Sequence, residues 1–141
     1  MLKNFFKKKK NESSNNKNVL IIALLIHAAK IDKNYTENEK KIIKKVIMEL
    51  NEISSNRADE LLKIAEKKEG ESNQIIEFTK EIKKYSMEFK LKIVEIIWKI
   101  VYSDGTSDDY ESNLIRRICG LLYVSDKDNG IIKTKVENLS E

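Results

Sequence analysis

Apolar residues recur at helical spacing along most of this chain. Ile42, Ile43, Val46, Ile47 and Leu50 fall on one helical face, as do Ala58, Leu61, Leu62 and Ala65. Ile75, Phe78, Ile82 and Tyr85 form a third such set, and Leu114, Ile115, Ile118, Leu121 and Leu122 a fourth. The 3.6-residue period predicts helices over about 18–31, 37–51, 56–68, 73–85, 87–103, 109–122 and 126–138, with "EGESN" (69–73) as a loop. No stretch alternates with period 2 between turn residues, so no strand is predicted. The expected fold is all-α: a compact bundle of about seven helices joined by short connections.

Composition agrees with helix throughout, since the chain has no proline and only four glycines. Charge changes the picture more. The net charge is +4, but residues 1–17 carry six Lys and one Glu, or +5, which leaves about −1 for the rest. The basic character therefore belongs to an N-terminal tail (1–17) and not to a helical domain (18–141), and specific nucleic-acid binding is not expected. The tail is itself patterned: "LKNFFKKKK" joins Phe5 and Phe6 to Lys7, Lys8, Lys9 and Lys10, a combination suited to an anionic membrane surface. "NESSNNKN" reads as a polar linker after it. The next run, Val19 to Ala29, imitates the core of a signal peptide and is too short to span a bilayer.

An internal repeat assigns that run to the fold instead. "AAKIDKNYTENEKKIIKKV" (28–46) aligns with "IVYSDGTSDDYESNLIRRI" (100–118) at an offset of 72 residues. Asp32 meets Asp104, Thr36 meets Asp108 and Glu39 meets Glu111, and the helices on either side correspond as well. The chain thus carries two copies of a helix–acidic turn–helix unit, and cleavage after Ala29 would destroy the first. The alignment also sets His27, the only histidine, against Lys99, and Ala23 against Glu95. Lys92, Glu95 and Lys99 form a polar stripe, so His27 is expected on the matching outer face. The first helix is more apolar around its circumference than its counterpart. Either it lies centrally, or its extra apolar face meets another chain. Cys119, the single cysteine, sits among apolar neighbours at helical spacing and reads as a buried, inert thiol.

The acidic turns are the candidate chemistry. Thr36-x-x-Glu39 and Asp108-x-x-Glu111 are capping boxes, in which the first side chain takes a backbone N–H of the new helix and the second reaches back. Ser125-x-x-Asp128 is a short-chained variant. Asp32 and Asp104 are different, because each is expected at a helix C-terminus, where the dipole disfavours an anion. Three readings remain open: local capping of the turn, a partner-binding acidic patch, or a divalent cation such as calcium held by Asp32, Glu39, Asp104, Asp108 and Glu111 with turn carbonyls. The spacing D-G-x-x-D-x-x-E is not that of an EF-hand loop.

The segment "VYSDGTSDDYESNLIRRICGLLYVSDKD", with "LIHAAKIDKNYTENEKKII" before it and "FTKEIKKYSMEFKLKIVEIIWKI" between, resembles the TerB-like family. That family comprises tellurite-resistance protein B and the N-terminal domain of a membrane-anchored DnaJ-type co-chaperone, and the resemblance covers about residues 19–135. It implies an all-helical fold with an internal duplication, a bacterial cytoplasmic or membrane-peripheral setting, and no enzymatic activity. It also implies ion or protein-partner binding through the acidic turns, in a stress response. By position the acids are Asp32 and Glu39, then Asp104, Asp108 and Glu111. The first turn departs from the family, with Asp32-Lys33 in place of a "DG" pair and Thr36 where an acid is common. No small-molecule substrate is implied. With one His, one Cys and no Gly-rich phosphate loop, the residues themselves offer little to an enzyme reading.

Overall fold

The computed structural model describes residues 12–31, 35–72, 74–104 and 109–139, without the side chains of 12–17, 104 and 109. These residues form seven α-helices and no strand. They are α1 (Glu12–Ala29), α2 (Glu37–Asn51), α3 (Ser55–Glu71), α4 (Ile76–Ile82), α5 (Met87–Val101), α6 (Asp109–Leu122) and α7 (Asp126–Leu139), with a 3-10 turn (Tyr102–Asp104) after α5.

Caps fix most helix starts. Thr36, Ser54, Ser86 and Ser125 each accept a backbone N–H three residues ahead, from Glu39, Arg57, Phe89 and Asp128. α2, α6 and α7 begin and end where the pattern predicts, within a residue. Three helices depart from it. α1 begins at Glu12, inside the stretch read as a polar linker. α3 continues through Glu71, so Glu69 and Gly70 are helical and not loop; Glu69 is bonded to α1, which anchors that last turn. α4 is only seven residues long. Its first residue follows Ile75 without a side-chain cap, and the chain turns at Lys83–Tyr85 to present Ser86 to α5.

α1 is the central helix. It packs on α2, α3, α4, α5 and α6, and Ile21, Ile22, Ala23, Leu24, Leu25, Ile26, Ala28 and Ala29 are all buried. Its all-round apolar character is thereby explained within one chain. Burial of each large side chain there contributes roughly 1.5–3 kcal/mol. α5 packs on α1 as well, and its Phe89, Ile93, Val94, Ile97, Trp98, Ile100 and Val101 are buried in the same core.

His27 is not on an open outer face. α3 packs along that side of α1, and His27 is half-buried with Nδ1 3.1 Å from Oε2 of Glu69. Repeat counterparts therefore meet different neighbours: α3 lies over His27 on α1, whereas Lys99 on α5 remains largely open.

Candidate functional site

Two of the five predicted acids have described side chains, Glu39 and Glu111. Each is the third residue of its helix, α2 and α6, and each is buried, at 5% and 4% exposure. Glu39 completes the capping box: its Oε1 accepts the Thr36 N–H at 2.7 Å, while Thr36 Oγ1 accepts the Glu39 N–H at 3.1 Å. The helix N-terminus and these N–H groups make a buried carboxylate tolerable there. Asp104 ends the 3-10 turn that leads from α5 into the second acidic turn. Its side chain, together with Asp32 and Asp108, lies outside the described residues, as do Phe5, Phe6, Lys7, Lys8, Lys9 and Lys10.

Tyr35 adds a feature to the first turn that periodicity did not reveal. Its hydroxyl is buried beside the Glu66 carboxylate. Burial pushes the phenol pKa far up, and the charges of Glu66, Glu39 and Glu37 push it further. The ring carries the Lys40 ammonium 5.0 Å from its centroid.

The chemistry of the predicted donor set, carboxylates with turn carbonyls, suits a hard divalent cation. Glu39, however, already commits one oxygen to its cap. Among the described residues no group of three His, Cys, Asp or Glu is placed to hold a metal. The described residues therefore do not make a cation site by themselves.

Two further charge clusters form through contacts distant in sequence. Glu69 is buried between Lys30 Nζ at 2.7 Å and His27 Nδ1 at 3.1 Å. Glu95 is buried beneath Lys135 Nζ at 2.8 Å, Lys99 Nζ at 3.2 Å and Lys92 Nζ at 3.7 Å. The hydrogen bond from Lys135 does most to hold the Glu95 carboxyl below the usual range, with Lys99 assisting against the opposing effect of burial. The Lys92–Glu95–Lys99 spacing was visible as a stripe. The partners Glu69 and Lys135 lie about forty residues away, and no local signal points to them.

Comparison with known families settles the lineage. The family described as tellurite resistance protein TerB matches residues 18–134. The chain belongs to that family. The TerB match runs from within α1 through most of α7 and includes both acidic turns, and it leaves residues 1–17, with the first turns of α1, outside. No curated protein and no solved structure matches the chain. Within this TerB domain no helix among the described residues is long and apolar enough to cross a membrane.

Proposed function

We propose that this chain is a non-enzymatic module of a bacterial tellurite-resistance-type stress system, binding a divalent cation and/or a protein partner at its acidic interhelical turns. The TerB match carries this reading, because it spans both turns, Asp32–Glu39 and Asp104–Glu111. The second turn is the stronger candidate. It holds Asp104, Asp108 and Glu111, whereas the first has Lys33 and Thr36 among its acids. A non-enzymatic role is also supported by the state of the usual nucleophile and base. Burial pushes the Cys119 thiol up to about 12, so it is not a thiolate at neutral pH, and His27 is engaged with Glu69.

An amide-shift titration of the full chain with Ca²⁺ and Mg²⁺ tests the cation. Shifts centred on residues 100–112, much reduced in Asp104→Asn, are expected. A well-folded sample whose amides stay still across the titration would remove the ion from the proposal.

The leader supports a second reading, a membrane-peripheral or co-chaperone-like adaptor on the inner face of the bacterial membrane. Residues 1–17 stand outside the TerB match, and the sequence there pairs Phe5 and Phe6 with Lys7 to Lys10. Attraction of roughly 1 kcal/mol per lysine near an anionic surface would suffice for reversible contact. Co-sedimentation with phosphatidylserine vesicles should be strong for the full chain and weak for a chain starting at Asn18. Equal pelleting would count against lipid contact through the leader.

A further inference from the structure

α7 is attached to the bundle in a way no other long helix is. Of its fourteen residues, Val136 alone is fully buried, at 2% exposure, and Ile132 packs partly buried against the core. Ile131 and Leu139 are 58% and 69% exposed. By contrast α3 meets the core through Ala58, Leu61, Leu62 and Ala65.

What joins α7 to α5 is mostly polar. Trp98 Nε1 donates to Asn129 Oδ1 at 2.9 Å, and the Tyr102 hydroxyl donates to Glu137 Oε2 at 3.1 Å. Lys135 Nζ meets Glu95 Oε1 at 2.8 Å, and Lys133 Nζ stands 5.3 Å from the Trp98 ring centroid. Lys135 and Glu137 are exposed, so water can replace these bonds at little cost. Beneath them lie side chains that water would meet badly. Trp98 is 1% exposed and stacks on Tyr102, with centroids 5.8 Å apart.

The link to α6 is short. Tyr123 takes a left-handed conformation at φ 62°, followed by Val124 and the cap residue Ser125. Val124 is buried and its N–H is held by Cys119 O at 2.8 Å, so a swing of α7 would pivot beyond it, at Ser125, while α6 stays packed through Leu114, Ile115, Ile118 and Leu122.

We propose that α7 is a displaceable latch: it opens as a unit, without unfolding of α1 to α6, and uncovers an aromatic strip of Trp98 and Tyr102 on α5 and the 3-10 turn. The closed form holds α7 over this strip through buried Val136, partly buried Ile132, three side-chain hydrogen bonds and the Lys133–Trp98 contact. Partial opening of that kind is the behaviour of a low-stability structural unit on a stable core.

Native-state hydrogen exchange on the full chain, at rising urea below the unfolding transition, tests this directly. Amides of α7 should exchange at least about tenfold faster than those of α1 and α5, with weaker urea dependence, because the opening exposes little surface. Trp98, the only tryptophan, supplies a second readout. In the triple variant Asn129→Ala, Lys135→Met, Glu137→Gln, its acrylamide quenching should rise at least about twofold while α1 amides stay protected. Exchange of α7 at the same rate and with the same urea dependence as α1 would overturn the latch. So would unchanged Trp98 quenching in a folded triple variant, which would reduce α7 to a helix that frays at its end.

Discussion

Glu69 places a carboxylate against the central helix, where a charge persists only when bonded. Its two oxygens are divided between Lys30 and His27. Lys30 is nearly half exposed and can return to water, so removal of the acid strands only the half-buried imidazole. Glu69→Ala should therefore cost about 1–2 kcal/mol in urea unfolding, less than the loss of a fully buried pair. Cys119 gives a sharper residue-scale expectation. Its thiol is fully buried, with its pKa pushed up first by desolvation and then by the charge of Asp126. A thiol reagent such as DTNB should leave it unmodified in the native protein at pH 8 and react fully in urea. Fast native labelling would show that the α6 core opens. Position along the chain made the inertness of Cys119 readable, because its neighbours at helical spacing are apolar. The role of Glu69 was not readable, since its partners lie 39 and 42 residues away.

At the scale of elements, caps explain which boundaries follow from the sequence. A Ser or Thr three residues before a free N–H is a local device, and α2, α3, α5 and α7 start within a residue or two of where it predicts. α4 has no such cap, and it runs only from Ile76 to Ile82 before the turn into α5. The end of α6 shows a cap that works against its residue. Val124 N–H reaches Cys119 O at 2.8 Å and Tyr123 N–H reaches Gly120 O at 3.3 Å, the paired bonds of a Schellman motif. Glycine is the residue this position favours, yet Tyr123 occupies it, and Lys83 and Lys90 stand 5.0 and 5.9 Å from its ring centroid. Replacing the tyrosine removes both cation–ring contacts, whatever follows. Tyr123→Gly should then be more stable than Tyr123→Ala by about 1 kcal/mol, because alanine keeps the left-handed penalty and glycine does not. Equal urea midpoints for the two variants would mean that the motif relaxes in solution. Of the candidate site, the capping role of Glu39 was legible at this scale. The burial of Tyr35 was not, because its hydroxyl depends on how α3 brings Glu66 across.

Across the whole molecule, the repeat in the sequence does not make the two halves equal. α1 is packed by five helices, whereas α5 keeps a polar stripe that α7 partly covers and α2 borders. At the centre of that stripe Glu95 faces Lys92 and Lys99 from its own helix and Lys135 from α7, and Lys45 and Glu49 of α2 line the adjoining cleft. With its pKa held below the ordinary value, chiefly by Lys135, Glu95 binds its proton less readily in the folded protein than in the unfolded chain. Its contribution to stability is thus fully present above the unfolded value of about 4.3 and is lost as pH falls through the lower folded value. Since Lys135 is the contact that α7 makes with this carboxyl, acid should act on α7 before it acts on the core. As pH falls below about 4.3 we expect Trp98 quenching by acrylamide to rise while far-UV ellipticity holds most of its value. Glu95→Gln should show the raised quenching already at pH 7 and lose most of the acid-dependent step. If the variant keeps the full step, other carboxylates drive it. A wild-type chain whose quenching and ellipticity change together would show that α7 and the core unfold as one.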